Sequence, residues 1–394
     1  MNIFKGAFFL MFFIAITFSA NSPDSGINSN VQTIINDSLE LVEENSDTVL
    51  IAAVGDIMCH LKEASVSRVQ GGYDFFPLFQ YVEPYIRKAD ISIANLETVL
   101  AGREKGFTGF PLFNSPDEFC EAAAKCGFNV LTTANNHCID KGINGLERTI
   151  DIIEQNGVFQ TGTYRTEEDS KEILILNAKG IKVAILAYTY GVNGLYIPKD
   201  KKYSVNLIDF EKIESDIEEA RSRNADKIIV SIHWGEEYQR YPNKYQKSIA
   251  DKIFSAGADI ILGSHPHVLQ GIEMPEYEDI NGKTKKKLII YSMGNFIANQ
   301  FNAHTRSGVI LYIKLIKNHF TNETEILQVS FEPTYIANGS LVILPVREAI
   351  DVIDNVNKES GLYKYRNQLG ILNTVFKETG KHLERENEHI SIGE

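Results

Sequence analysis

The chain has 394 residues, 43% of them hydrophobic and 23% charged, the balance of a folded globular protein and not of a disordered one. Lys and Arg number 39 against 52 Asp and Glu, a net charge of −13. Nucleic acid is therefore an unfavourable partner, because the chain has no excess of cations with which to displace counterions from a phosphate backbone.

Residues 1–20 carry Lys5, an apolar run over 6–18 and then Ser19 and Ala20, the layout of a secretory signal. The run is shorter than the ~20 residues of a membrane-crossing helix. Export to a periplasmic or extracellular location is expected, with the segment either cleaved or kept as an anchor in the cytoplasmic membrane. Residues 21–48 are rich in Asn, Ser, Asp and Glu and read as a linker.

A regular alternation follows. Apolar strands are expected over 49–54, 91–95, 130–134, 228–232, 260–263 and 288–291. Helices are expected over 76–88, 116–126, 142–156, 209–223 and 243–256, the second opened by Ser115 as N-cap with Pro116 in its first turn. Strands over 173–177 and 183–188 pair through Lys179-Gly180, and 309–316 with 325–331 form a closing antiparallel pair. This is an α/β pattern, organised as one domain over 49–345 with a helical, then charged, appendage over 346–394. The cysteines Cys59, Cys120, Cys126 and Cys138 are too few for a disulfide scaffold and read as buried thiols. A Cys59–Cys138 bond requires their strands to be neighbours.

Polar residues able to bind metal recur just after strand after strand. They occur in Gly55-Asp56-Ile57-Met58-Cys59-His60, in Asn95-Leu96-Glu97-Thr98 and in Asn135-Asn136-His137-Cys138-Ile139-Asp140. They recur in His233-Trp234-Gly235-Glu236-Glu237, in Ser264-His265-Pro266-His267 and in Ser292-Met293-Gly294-Asn295. Five of the nine histidines fall at these ends, where open α/β sheets bind their ligands. Mixed imidazole and carboxylate donors suit Mn, Zn or Fe, one or two ions per chain. Two such ions bridged by a carboxylate can activate water and grip both oxygens of a displacement at phosphorus. Asn136 offers a carbonyl oxygen to a metal while His137 points to substrate. Trp234 forms either a pocket wall or core. Glu237 and Gln270 read as partners that orient imidazoles, and Asn295 as a site-lining or turn residue.

With these motifs quoted, the chain resembles the bacterial capsule synthesis protein CapA family, also called the poly-γ-glutamate biosynthesis (PgsA-like) family. The stretches GDIMCH (55–60), NLET (95–98), ANNHCIDKG (134–142), HWGEEYQRYPNKYQKSIA (233–250), GSHPHVLQGIE (263–273) and YSMGNF (291–296) carry it. That family is similar to calcineurin-like metallophosphoesterases. The resemblance implies a four-layer α-β-β-α sandwich of two mixed sheets flanked by helices. It implies Asp56, Glu97, Asn136, His233, His265 and His267 as metal ligands and His137 as proton donor. Met58 stands where the superfamily has a histidine, two residues after the first Asp, which leaves His60 and Asp140 as neighbours of undecided role.

Two roles follow from the resemblance. One is assembly or export of an anionic capsule polymer together with a membrane synthesis complex, with Arg240, Lys244 and Lys247 as local cations. The other is metal-dependent hydrolysis of an envelope phosphoester or γ-linked peptide, independent of capsule.

Overall fold

The computed structural model describes residues 45–278, 282–360, 366–383 and 390–392. The expected signal segment and all but the end of the linker lie outside the described residues. In chain order the first strands are β1 (Ser46–Ile57), β2 (Arg68–Val69), β3 (Gly72–Tyr73), β4 (Ile91–Leu96), β5 (Val130–Thr132), β6 (Phe159–Thr161), β7 (Leu174–Ala178), β8 (Ile181–Thr189) and β9 (Lys227–His233). Then come β10 (Ile260–Ser264), β11 (Leu269–Glu273), β12 (Glu276–Glu278), β13 (Thr284–Lys286), β14 (Leu288–Met293) and β15 (Asn295–Ile297). The last are β16 (Ser307–Asn318), β17 (Glu323–Ile336), β18 (Ile343–Pro345) and β19 (Ile390–Ile392).

Sheet one runs β18-β17-β16-β1-β4-β5-β6, with β15 beside the end of β1 and β19 beside β17. Sheet two runs β11-β14-β10-β9-β8-β7. In sheet one β1, β4, β5 and β6 are parallel, and in sheet two β8, β9, β10 and β14 are parallel. Antiparallel neighbours flank both sets, so both sheets are mixed.

The alternation of side chains along each strand builds the layers. Val49, Ile51 and Ala53 of β1 meet Ile229 of β9 and Ile260 and Leu262 of β10 in a core between the sheets. Ala52 and Val54 face the other way, onto the helices Glu118–Cys126 and Gly142–Gln155 through Phe119, Cys120, Ile152 and Ile153. Ile228, Val230 and Ile232 of β9 face the helices Phe210–Ser222 and Lys244–Ser255 through Ile213, Ile217, Ile253 and Phe254. The result is the helix–sheet–sheet–helix sandwich of two mixed sheets that the resemblance implied. Each fully buried Ile or Leu contributes roughly 1.5–3 kcal/mol.

Several local expectations are corrected. The helix expected over 76–88 splits into Phe76–Phe79 and Glu83–Arg87. Pro84 lacks an N–H for the carbonyl four residues back and its ring crowds that carbonyl. The next helix begins at Glu118, and Ser115 does not cap it; the Ser115 hydroxyl lies 2.6 Å from Thr98 Oγ1. The third strand stops at Thr132, and Asn135 and Asn136 beyond it enter the site. The four cysteines are free, buried thiols as expected, with no Cys59–Cys138 bond. The helices Val346–Ser360 and Arg366–Leu383 pack with Tyr335 through Val346, Leu372 and Val375. Among the described residues no helix is long and apolar enough to cross a membrane.

Candidate metal centre

Strand register sets the height of the site. Asp56 lies opposite Asn95 of β4 and Asn295 of β15. His233 lies opposite Ser264 of β10 and Thr189 of β8. The two sets face one another across the gap between the sheets, at the carboxyl ends of the parallel strands. An irregularity in the β1–β4 register between Ala53 and Asp56 re-aims Asp56 into that gap. Two glycines permit the close approach. A Cβ at Gly55 would overlap the Gly294 carbonyl, and one at Gly263 would overlap the Tyr291 carbonyl.

Asp56 is fully buried. Its Oδ1 accepts from Asn95 Nδ2 at 2.8 Å, and its Oδ2 accepts from the His265 N–H at 3.3 Å and lies 3.1 Å from His267 Nδ1. Glu97, just past β4, is equally buried, yet neither carboxylate oxygen has a hydrogen-bond partner among the described residues. Its Oε1 lies 3.5 Å from His233 Nε2 and 3.8 Å from His267 Nε2. His233 Nε2 is 2.8 Å from Asn136 Oδ1, and its Nδ1 is 2.9 Å from Ser264 Oγ. His265 Nδ1 is buried without a partner. His265 and His267 hold φ angles of 97° and 59° on either side of Pro266. That left-handed backbone costs of order 1–3 kcal/mol at each non-glycine residue and persists where the surroundings over-determine it.

These donors fit a metal. Ligand atoms of Glu97, His233 and His265 lie within 4.8 Å of one another, as do those of Asp56, Glu97 and His267, and those of Glu237, His265 and His267. Glu97 belongs to the first two sets, the position of a bridging carboxylate. A buried acceptor left unpaired costs roughly 1–3 kcal/mol, more when charged, and a bound cation would relieve it.

The electrostatics are those of groups crowded out of water. Burial, and then the adjacent Asp56 carboxylate, push the Glu97 carboxyl well above its ordinary range. Burial would raise Asp56 too, but its hydrogen bond to His267 and the His267 charge hold it down at about 2. Burial would lower His267, but the Glu97 charge and the Asp56 hydrogen bond lift it to about 9. Burial brings His233 down to about 3, and burial followed by the charges of His233 and His267 brings His265 to about 2. Both are thus neutral imidazoles, the form that ligates metal.

His137 stands beside this centre with its Nδ1 2.7 Å from Asp140 Oδ2. Burial opposes its charged form, but the Asp140 hydrogen bond and the Glu97 charge raise its pKa. The pair fixes the imidazole and leaves Nε2 for proton transfer. Tyr190 forms a wall, its ring centroid 4.7 Å from that of His265 and its plane within 10° of His233.

The structure thus brings Asp56, Glu97, Asn136, His233, His265 and His267 together, with His137 and Asp140 adjoining. Asn295 orients a ligand, its Oδ1 lying 3.0 Å from His267 Nδ1. Glu237 reaches the His265–His267 side while remaining exposed. His60 stands apart from the ligand sets, its ring 5.0 Å from Phe113 and its Nδ1 3.9 Å from Glu63. One expectation is corrected. Gln270 orients no imidazole; its Nε2 donates to the Gln239 carbonyl at 2.8 Å and holds the loop after His233. Of the two readings of Trp234, the structure takes the core one. Trp234 points into the helix-facing core beside Ile232, where its Nε1–H donates to the Tyr291 carbonyl at 3.0 Å.

Asn95, Asn135, Ser264, Tyr190 and Phe113 were not singled out. Asn135 Nδ2 donates to the Leu96 carbonyl at 2.8 Å, tying two site loops together. Asn95, Asn135 and Ser264 carried a signal, their place in the strand-end motifs. Tyr190 and Phe113 carried none.

A family model described as bacterial capsule synthesis protein PGA_cap matches residues 50–300. The chain is 33% identical over 315 residues to the capsule biosynthesis protein CapA of Bacillus anthracis, covering 78% of this chain and 71% of that one. It is 33% identical over 281 residues to the PGA biosynthesis protein CapA of Bacillus subtilis, covering 70% of each. Among solved structures, a phosphatase of Mycoplasma pneumoniae superposes with a TM-score of 0.42 at 13% identity, over 73% of this chain and 93% of that one. The family model spans the six strand-end motifs, and the chain belongs to the bacterial capsule synthesis protein family PGA_cap.

Proposed function

We propose that this is an exported envelope protein of capsule or poly-γ-glutamate biosynthesis whose strand-end centre is a divalent-metal hydrolytic site. The observation that carries the reading is the Glu97 carboxylate. It is fully buried, has no hydrogen-bond partner for either oxygen and lies between His233 and His267. Asp56, Glu97, Asn136, His233, His265 and His267 would hold the metal. Mn, Zn or Fe bound there supplies Lewis acidity and lowers the pKa of a coordinated water.

The chain's own residues do the rest. Asp140 fixes His137 so that Nε2 holds a proton for the departing oxygen or nitrogen. Tyr190 shields the His233 and His265 rings from bulk water. Asn295 and Asp56 share His267 Nδ1 and set its tilt. The substrate is an anionic phosphoester or γ-linked peptide of the envelope. A chain of net charge −13 approaches such a polymer through the metal and local cations such as Arg240.

The test is made on the purified chain, stripped with chelator and reloaded with Mn²⁺ or Zn²⁺. Bound metal is measured, with turnover of bis-p-nitrophenyl phosphate and of a γ-linked glutamyl oligomer. Metal uptake with turnover that H265A abolishes is the expected result. No uptake, or inactivity on both substrates with either metal, overturns the reading.

A further inference from the structure

Beyond the ligand sets lies a second His–carboxylate pair. His60 and Glu63 are three residues apart, as are His137 and Asp140. Both imidazoles pack edge-on against one ring, that of Phe113. The His60 centroid is 5.0 Å away at 83°, and the His137 centroid is 4.7 Å away at 84°. Phe113 is fully buried and also holds Met58 and Ala298. It thus spaces two imidazoles symmetrically on one side of the metal centre.

The His60 pair is chemically unfinished. Glu63 is fully buried, and neither carboxylate oxygen has a side-chain hydrogen-bond partner among the described residues, only the nearby backbone of residues 60, 63 and 299. His60 Nδ1 is also buried without a partner, and Glu63 Oε2 faces it at 3.9 Å. Two buried polar groups facing each other across that gap are costly unless the arrangement serves something. Burial lifts the Glu63 carboxyl to about 8, although the backbone of residues 60, 63 and 299 and the Arg306 charge oppose the rise. Burial, then the charges of His267 and His137, lowers His60 to about 4. Near neutral pH the pair is therefore a carboxylic acid facing a neutral imidazole. A protonated Glu63 that closed the 3.9 Å gap to Nδ1 would leave His60 with its N–H on Nε2, the edge away from Glu63.

We propose that His60, oriented by Glu63, is a second substrate-binding imidazole of this chain. It donates from Nε2 to an oxygen of a metal-bound tetrahedral oxyanion, while His137 serves the departing group. Glu63 is its positioning residue. The inference rests on the metal-centre reading above and goes beyond it. Met58 occupies the place of a ligand histidine, and His60 joins none of the ligand sets, so it is free to bind substrate.

The experiment measures binding of inorganic phosphate to the Mn²⁺-loaded chain by calorimetry, beside metal stoichiometry and thermal midpoint. H60A is expected to keep its metal and its midpoint within a few degrees while weakening phosphate about tenfold or more, the range of a hydrogen bond to a charged group. E63Q keeps a neutral donor facing Nδ1 and should bind phosphate within about twofold of wild type. E63L, which fills the same space without a donor, should behave like H60A. Unchanged phosphate affinity in H60A overturns the inference. So does loss of metal in H60A, which makes His60 a ligand, and so does an equal effect of E63Q and E63L, which makes Glu63 mere packing. Wild-type protein that takes up no Mn²⁺ overturns the metal-centre reading and this inference with it.

Discussion

Replacing Glu97 by Gln removes the carboxylate that two of the donor sets share. Its two oxygens touch no donor, and burial with the Asp56 charge already favours its neutral form. An amide of the same size should therefore leave the chelator-treated protein about as stable as before. With metal the comparison changes. A ligand that binds only the folded state at 100 times its dissociation constant stabilises it by about 2.7 kcal/mol. At roughly 2–4 °C per kcal/mol for a large domain, wild type should gain about 5–10 °C on adding Mn²⁺. Glu97 is shared by two donor sets, so its loss should weaken binding by at least about 100-fold, or 2.7 kcal/mol. The same metal concentration then equals the new dissociation constant, and the gain falls to about 0.4 kcal/mol, near 1 °C. Thermal melts of wild type and E97Q with chelator and with Mn²⁺ give all four numbers. Equal metal-induced shifts would refute the ligand role. A large fall in the chelator-treated midpoint of E97Q would show that the carboxylate is structural.

The other predictions concern the residues around it. D140N removes the negative charge behind His137, whose Nδ1 lies 2.7 Å from the carboxylate, and should lower turnover of bis-p-nitrophenyl phosphate by roughly 10²–10⁴-fold. Bound metal should stay at the wild-type level, and parallel loss of metal and activity would place Asp140 among the structural supports instead. W234F removes the indole N–H that serves the Tyr291 carbonyl and should cost roughly 1–3 kcal/mol of stability. Its Mn²⁺-induced thermal shift should equal that of wild type, because the ring faces the helices. In chelator-treated protein, His267 is raised from 6.5 to about 9 and Asp56 lowered from 3.8 to about 2. The stabilisation of His267 by the Glu97 charge and Asp56, and of Asp56 by His267, is therefore full between pH 3.8 and 6.5, is lost as pH rises through about 9, and is lost as pH falls through about 2. The midpoint advantage of wild type over H267Q should narrow towards both ends, and a flat difference would contradict the pairing.

How much of this was legible in the sequence follows from two periodicities. A parallel α/β sheet places the residues after each strand at one edge, so the order of the motifs along the chain was enough to gather Asp56, Glu97, Asn136, His233, His265 and His267. The alternation of a strand is equally strict and was not fully used. His233 and Ser231 face sheet one, where Ser231 Oγ donates to Thr132 Oγ1 at 3.3 Å. Trp234 must then face the other way with Ile232 and Val230. Adjacency in sequence to a ligand was therefore an argument against Trp234 as a pocket wall. Pro84 likewise contradicted a continuous helix over 76–88 through its missing N–H.

What stayed out of reach depends on distances between segments that no local pattern encodes. Asn295 reaches His267 only because β15 pairs with the end of β1 while β14 lies in the other sheet, so the chain crosses between sheets at Gly294. That crossing needs Gly55, whose absent side chain leaves room for the Gly294 carbonyl. The Asp56 N–H donates to that same carbonyl at 3.1 Å. The G-D of the first motif and the G-N of the last are thus two halves of one contact, separated by more than half the chain. The carboxylate and the amide that hold His267 are positioned by the glycines that precede them. A substitution at either glycine should therefore disturb the candidate metal centre without touching one of its donor residues.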